Sequence, residues 1–438
     1  MARSKSRNPP TSELNPRTTE YHFLGPLGTL AVTIIVPVIV YSQYFGCSEE
    51  TGGCPPQFTL QDITKSLSNS RWWGSLWDQE AAIAYLAWYT FCVVCWFILP
   101  GEWVKGTVLR DGNVKEYKIN GLSTLMLAVG LAIRTIVKFG PESFTFIYHK
   151  WVGLITAALV MSFIQAVYVY AASFAQGKLL ALGGNSGNVI YDWFIGRELN
   201  PSIGSFDIMS FNELRPGLIL WILIDISMIC EQAVRRGGFS KVPDSIWLTS
   251  AFQIFYVVDS LWNESALFTT VDIIMEGFGF MLAVGDLVWV LFVYSLPSRY
   301  LAFNPIELGV LKSVSIFGIN FLGYWIFRAS NGEKNDFRNG KNPKNLKYMT
   351  TTTGSKLLTS GWWGVSRHPN YLGDILMSIA WSLPTGFNTP ITYFYPIFFT
   401  FFLIHRQERD EAKCQQKYGK DWDKYKSIVR YKILPYIY

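Results

Sequence analysis

Long apolar runs alternate with short polar connections along the chain. A hydrocarbon core takes about 20 apolar residues per helix. Runs of that kind lie at roughly 23–45, 81–100, 121–139, 152–174, 217–233, 246–262, 267–297 and 308–327. A further apolar stretch, roughly 373–404, is interrupted at Pro384-Thr-Gly and at Pro390. It is long enough for two helices joined by a tight turn, or for a re-entrant pair. The pattern predicts an all-α, polytopic membrane protein of about eight to ten helices with no internal repeat.

Residues 1–21 are polar and basic, with Arg3, Lys5, Arg7 and Arg17, and read as a mobile cytosolic tail. They lack the short apolar core of a cleaved signal, so the first run is expected to act as an uncleaved anchor. Residues 22–438 read as a single membrane domain in three parts: 22–216, 217–330 and 331–438. The Lys/Arg bias places the tail on the cytosolic side. The loop with Lys105, Arg110, Lys115 and Lys118, the loop 175–216 and everything after Lys334 join it there, which makes both termini cytosolic. Arg235, Arg236 and Lys241 run against that bias.

Composition agrees with lipid as the solvent. Half of the 438 residues are hydrophobic and 16% are charged, against about 25% in ordinary soluble domains. The net charge of +6 fits cytosolic loops beside anionic headgroups. No basic, aromatic-interleaved patch points to nucleic acid. Cys92, Cys95 and Cys230 lie in apolar runs and read as small buried hydrophobes. Cys47 and Cys54 flank a Gly-rich turn after the first run. Free thiols and a bridge are both open to them, the bridge requiring an oxidising, lumenal loop.

Charges within spans are costly and mark candidate functional positions. Asp225, Glu231, Asp259, Asp272, Glu276 and Asp286 are of this kind. Glu276 follows Asp272 by four residues, which predicts a shared helix face. Gly277, Gly279 and Gly285 predict close backbone approach, and the segment is expected to line an internal cavity. The bland alternative is that these carboxylates serve packing alone.

Polar segments hold the densest chemistry. Gly183, Gly184 and Gly187 precede Tyr191, Trp193, Arg197, Glu198 and Asn200, a set that suits an interfacial cap or a ligand wall. No G-x-G-x-x-G follows a strand and no P-loop is present, so a nucleotide would need discrete side chains. Lys334 and Arg338 are one helical turn apart and suit two contacts to a phosphate. Residues 357–374 crowd Trp362, Trp363, Arg367, His368, Asn370 and Tyr371 into one turn-rich segment. Arg406, Asp410, Cys414 and Tyr418 recur every four residues, one stripe of a helix, with Arg409, Lys413 and Lys417 beside it. His368 and His405 without a third ligand argue against a metal.

These segments carry a family resemblance. Gly183-Gly-Asn-Ser-Gly through Asn200-Pro201 and Ser360-Gly-Trp-Trp-Gly with Arg367-His-Pro-Asn-Tyr-Leu-Gly-Asp374 resemble the sterol reductases. So does Arg409-Asp-Glu with Cys414-x-x-Lys417-Tyr-Gly and Tyr425. That family includes C-14, C-7 and C-24(28) sterol reductases and the membrane domain of the lamin B receptor. Leu14-Asn-Pro-Arg-Thr-Thr-Glu20 and Lys334-Asn-Asp-Phe-Arg338 are most similar to the C-14 branch, and residues 1–21 do not resemble a Tudor-like domain, so a lamin B receptor is not expected.

The resemblance implies about ten helices in the endoplasmic reticulum membrane and NADPH in a cytosol-facing C-terminal pocket. Its contacts there would be Lys334, Arg338, Leu358, Trp363, Asn370, Tyr371, Asp410, Cys414, Tyr418 and Tyr425. A sterol would enter sideways from the bilayer, and other enzymes of the sterol pathway are expected partners. The implied reaction reduces the C14=C15 bond of an 8,14-diene: a proton goes to C15, then hydride to C14. Such chemistry needs an acid kept protonated by burial, for which Asp286, Glu276 and Tyr256 are the candidates. Three alternatives stand beside this: reduction of another sterol double bond, a non-catalytic scaffold or sterol sensor, and an intramembrane methyltransferase using S-adenosylmethionine. The last family shares an Arg-His-Pro-x-Tyr-x-Gly turn.

Overall fold

The computed structural model describes residues 14–57 and 60–438. Arg3, Lys5 and Arg7 of the basic tail lie outside the described residues, as does the side chain of Asp272. The chain is mostly helical. Among the described residues, seven helices are long and apolar enough to cross a membrane: Gly25–Phe45, Ser70–Ile98, Gly121–Phe139, Trp151–Ala172, Ile208–Arg236, Phe280–Phe303 and Gly309–Arg338. Three further helices, Asp244–Trp262, Pro369–Ser382 and Phe394–Tyr418, fall short of that measure. The fold is not purely helical. Glu102–Val108 and Val114–Ile119 form an antiparallel hairpin, closed where Gly112 takes a φ of 81° and Asp111 accepts the Asn113 amide at 3.0 Å. Asp-Gly supplies this positive-φ turn at little cost. Two shorter pairs, Ser202–Ile203 with Phe206–Asp207 and Tyr348–Thr350 with Lys356–Leu358, complete the strands.

Two compact units divide the chain. The first comprises residues 1–242 and 253–303; the second comprises 243–252 and 304–438.

In the first unit, Ile208–Arg236 is the most buried of the seven long helices. Asp207 caps its start by accepting the Ser210 amide at 2.8 Å. Pro216 removes a backbone donor, and Glu213–Gly217 widens into a π turn there. That turn carries Arg215, fully buried and paired with Glu264 at 2.7 Å; Asn120 accepts from the same guanidinium at 2.8 Å, and Glu264 also accepts the Gly121 amide at 2.8 Å. A buried pair is tolerated only when its remaining polar groups are satisfied in this way.

The expected single run over 267–297 is broken. Val271–Met275 is one short helix and Phe280–Phe303 another, with Glu276–Gly279 between them. Glu276 therefore lies beyond the end of the helix that holds Asp272, and the expected shared face is absent. The cause is backbone contact. A Cβ on Gly277 would meet the Gly196 carbonyl oxygen at 2.0 Å, and one on Gly279 would meet the Gly196 amide nitrogen at 2.3 Å. Only glycines permit that approach. Gly285, expected to behave alike, has open space around it.

Cys47 and Cys54 are bridged. Between them, Glu49 accepts from both terminal nitrogens of Arg235, at 2.6 and 2.7 Å, and from the Tyr148 hydroxyl at 2.8 Å. The Arg235 hydrogen bonds hold the Glu49 carboxyl below its ordinary range. The basic segment that opposes the Lys/Arg bias is thus partly neutralised by its own neighbours. Part of the expected tail is docked: Asn15 donates to the Lys178 carbonyl at 3.0 Å, and the Thr18 amide donates to Asn185 at 3.1 Å. The N-terminal Asn-Pro-Arg-Thr segment thus straps the Gly-rich loop.

The second unit is built on two helices, Gly309–Arg338 and Pro369–Ser382. They meet where a Cβ on Gly323 would lie 2.7 Å from the Gly373 carbonyl and one on Gly373 would lie 2.6 Å from that of Gly323. Small residues let helix backbones approach within a membrane. Leu403 and Ile433 pack on Tyr371 from the opposite side, drawing in the Phe394–Tyr418 helix and the C-terminal segment.

Candidate functional site

The helix pair sets the frame for a polar cluster in the second unit. Gly309–Arg338 ends with Lys334 and Arg338 on its last turns. Pro369–Ser382 begins with Asn370 and Tyr371. Gly323 against Gly373 fixes the two relative to each other. The turn between is pinned by hydrogen bonds. Buried Glu333 accepts the Trp362 amide at 2.9 Å and pairs with Lys344 at 3.0 Å. Trp363 donates its indole N–H to the Ser330 carbonyl at 2.7 Å. Its ring then lies 3.9 Å from the Lys334 ammonium, within cation–π range. Lys334 is within electrostatic reach of Arg338, Asp410 and Cys414.

The helical stripe closes a second side. The Tyr371 hydroxyl donates to Asp410 at 3.5 Å. Cys414 and Tyr418 pack on Trp422 and Tyr425, whose rings stack at 5.0 Å. Burial pushes the Cys414 thiol up, with Asp410 adding to it, so this sulfur is no nucleophile at neutral pH. Burial also raises the Tyr425 phenol to about 12. Lys413 and Lys417 on the adjoining stripe are exposed. Leu358 is buried at the end of the Lys356–Leu358 strand.

His368 and Arg367 emerge as members that spacing alone did not assign. His368 stacks on Tyr371 at 4.7 Å. Burial, with Lys334, Arg367 and Arg406 nearby, lowers it to about 3, so the imidazole is neutral across the physiological range. Arg367 points away from any ligand role. Its guanidinium donates to the carbonyls of Val429 at 2.8 Å and Arg430 at 2.9 Å and pairs with Glu411 at 3.1 Å. It staples the turn to the C-terminal segment. The signal for Glu333 was its place beside Lys334; nothing local marks a carboxylate that accepts an amide 29 residues on.

Three polar atoms of the cluster are buried without a hydrogen-bond partner: Asn370 Oδ1, Arg367 Nε and Trp422 Nε1. A buried acceptor left so costs about 1–3 kcal/mol. The cluster therefore offers two cations one turn apart, an aromatic face, a carboxylate and an unfilled acceptor. That donor and acceptor set fits an anionic, aromatic dinucleotide. No grouping of three metal-ligating side chains occurs among the described residues.

The three expected proton donors belong to the first unit and are half-buried. The Tyr256 ring lies 6.1 Å from Trp221, whose indole N–H donates to Gln253 at 2.9 Å. Asp286 sits in a second π turn, Gly285–Trp289, with its carbonyl against Gly217, where a Cβ would approach to 2.5 Å. Glu276 occupies the break beside Gly277.

Comparison with known proteins bears on the whole of this arrangement. Delta(14)-sterol reductase erg24 of Schizosaccharomyces pombe is 47% identical over 424 residues, covering 96% of this chain and 97% of that protein. Delta(14)-sterol reductases ERG24 of Candida albicans and Saccharomyces cerevisiae are each 44% identical, covering 98% of this chain and 100% of either relative. Residues 17–438 match the Ergosterol biosynthesis ERG4/ERG24 family. From the docked Asn-Pro-Arg-Thr strap to the stapled C-terminal segment, the chain belongs to that family.

Proposed function

We propose that this protein reduces the C14=C15 double bond of an 8,14-diene sterol with NADPH, in the endoplasmic reticulum membrane and with the cofactor site facing the cytosol. The observation that carries the reading is the second-unit cluster of Lys334, Arg338, Trp363, Asp410 and the orphaned Asn370 acceptor, all within the residues that match the family. Lys334 and Arg338 would hold the extra phosphate of NADPH. Asn370 would accept from an amide or hydroxyl of the nucleotide. Trp363, Tyr371, Tyr418 and Tyr425 would wall the pocket and exclude water. The cofactor, when bound, supplies hydride to C14.

The protein supplies the proton. An unactivated olefin takes a proton before hydride, so an acid in an apolar cavity must protonate C15 and leave a cation at C14. Asp286, Glu276 and Tyr256 are the residues to be tested for it. Aromatic faces and fixed dipoles would stabilise the cation. The sterol would reach this acid from the bilayer.

Titrating the purified protein with NADPH, NADH and S-adenosylmethionine tests the reading directly. NADPH should bind tightest, and Arg338→Ala should weaken NADPH by about ten- to over a hundredfold, since a charge-assisted bond is worth roughly 1.5–3 kcal/mol. NADH should change little. Equal loss for both nucleotides would remove Arg338 from phosphate recognition. No nucleotide binding at all would favour a sterol-sensing scaffold. The full-length family match gives the methyltransferase alternative no support.

A further inference from the structure

The Arg367–Asp374 segment ends in a carboxyl that none of the contacts above employs. Asp374 lies on Pro369–Ser382, four residues after Asn370 and three after Tyr371. At about 100° per residue, the three fall within one arc of roughly 100°. Gly373 lies outside that arc, and it is Gly373 that meets the backbone of Gly323 and Phe327 on Gly309–Arg338. Asp374 is turned toward Phe394–Tyr418 instead, where Arg406 is its electrostatic neighbour. The two helices match at successive levels. Tyr371 donates to Asp410 at 3.5 Å; one turn further along Pro369–Ser382 stands Asp374, opposite Arg406, one turn before Asp410.

The other carboxylates of the cluster are occupied. Asp410 accepts from Tyr371, Glu411 pairs with Arg367, and Glu333 accepts the Trp362 amide. Asp374 is half-buried. Its burial pushes the carboxyl up to about 8 against the pull of Arg406, and no hydrogen bond from the described residues offsets that burial. It holds a proton at neutral pH.

The reaction sets a distance requirement. C14 and C15 are bonded to each other, so the acid for C15 must stand close to the carbon that gives hydride to C14. Reacting atoms sit roughly 3–3.5 Å apart, and an acid reaches its target over about 2.6–3.2 Å. Acid and nicotinamide must therefore adjoin. With the extra phosphate at Lys334 and Arg338, the hydride end of the dinucleotide lies back toward the Gly323–Gly373 contact. Gly323 precedes Lys334 by eleven residues, roughly 16 Å of helix rise. Asp374 is the carboxyl beside that contact. Resting on the NADPH reading, we propose that Asp374, in place of Asp286, Glu276 or Tyr256, protonates C15, with Asn370 accepting from the nicotinamide carboxamide one turn before it. The Asp374 O–H bond breaks as the C14=C15 electron pair forms the new C15–H bond, which leaves the cation at C14. That cation takes hydride from NADPH, leaving NADP⁺. The Asp374 carboxylate, facing the Arg406 charge, regains its proton from water.

The test uses the full-length protein in nanodiscs at saturating NADPH, so that titration of the phosphate contacts does not enter turnover. Wild-type turnover should be level below pH 8 and fall by about tenfold per pH unit above it, as the acid at about 8 is lost. Asp374→Asn should lower turnover at neutral pH by about 10²–10⁴-fold, the usual share of general acid catalysis, with NADPH affinity kept. Asp374→Glu should recover part of it. Infrared difference spectra of the protein without cofactor give a reading apart from turnover. A protonated-carboxyl band should vanish as pH rises through about 8 and be missing from Asp374→Asn. The assignment falls if Asp374→Asn turns over like wild type, or if its NADPH affinity falls as far as its turnover. It falls equally if wild type lacks the band at neutral pH or keeps its turnover level well above pH 8. Wild type that binds NADPH but reduces no 8,14-diene would remove the functional reading, and the donor role with it, whatever the band shows.

Discussion

Replacing Arg367 by Ala separates a staple from a ligand. The side chain is buried, and three charge-assisted hydrogen bonds hold it, to the carbonyls of Val429 and Arg430 and to Glu411. Removing one partner of a buried pair costs about 3–5 kcal/mol, because the other groups are left without compensation. Two backbone bonds depend on the same junction: the Arg367 amide to the Tyr431 carbonyl and the His368 amide to Lys432, both 2.9 Å. Native-state exchange of these two amides reads the junction's local opening. A loss of 3–5 kcal/mol should speed their exchange by about two to four powers of ten. Hydrogen exchange with mass spectrometry on the detergent-solubilised protein resolves this, and thermal unfolding should shift down in parallel. Arg367→Lys keeps the charge but not the planar fork, so it should recover part of the protection. Unchanged exchange at these amides with lost NADPH binding would refute the staple and make Arg367 a cofactor contact.

Asp410→Ala and Tyr418→Phe should lower turnover while the protein still inserts and folds, and Lys413→Ala should be nearly silent; equal damage from Lys413→Ala in a reductase assay would undo the stripe assignment. Because His368 is held near 3 when folded and has an ordinary value of about 6.5, its contribution is whole above pH 6.5. It is lost as pH falls toward 3, at no more than about 1.4 kcal/mol per pH unit. Acid unfolding of His368→Gln should accordingly be shallower over that window, and identical slopes would count against a buried neutral imidazole. Reaction in D₂O should place deuterium at C15, and 4-deuterated NADPH should label C14; nicotinamide label at C15 would exclude protonation first. A lipophilic amine cationic near C14 should inhibit far better than its carbon isostere, since mimics of a transition state bind about 10²–10⁸-fold tighter than substrates. Equal inhibition by the two would say that no cation forms.

Where a helix is decided by its own residues, the sequence was enough. Gly121–Phe139 matches the apolar run residue for residue, and Gly25–Phe45 and Trp151–Ala172 differ from theirs by a residue or two. The reading failed where distant backbone decides. Gly277 is legible as a glycine, but its partner Gly196 is 81 residues earlier, and only their contact breaks the run at Glu276. Asp207 caps the start of the Ile208–Arg236 helix and Pro216 lies in its π turn, by local rules that hydropathy overlooks. In the loop of Lys105, Arg110, Lys115 and Lys118 the dense charge masks the Asp111-Gly112 hairpin signal. In the site, Lys334–Arg338 and the Asp410–Tyr418 stripe were visible as helical spacing. Glu333 and Arg367 were not, because their tasks are to bind main chain far along the sequence.

The bridged loop after the first helix bears on how the protein is assembled during synthesis. Six residues lie between Cys47 and Cys54, so the ring can close as soon as this short stretch has left the ribosome and met an oxidant. Glu49 is then already held on a fixed ring when the end of Ile208–Arg236 emerges, some 180 residues later. Arg235 arrives to a waiting counter-ion instead of a bare interface. The compartment that oxidises the two cysteines is also the one that receives Arg235. The ion pair to Glu49 holds the Arg235 charge beside the bridged ring.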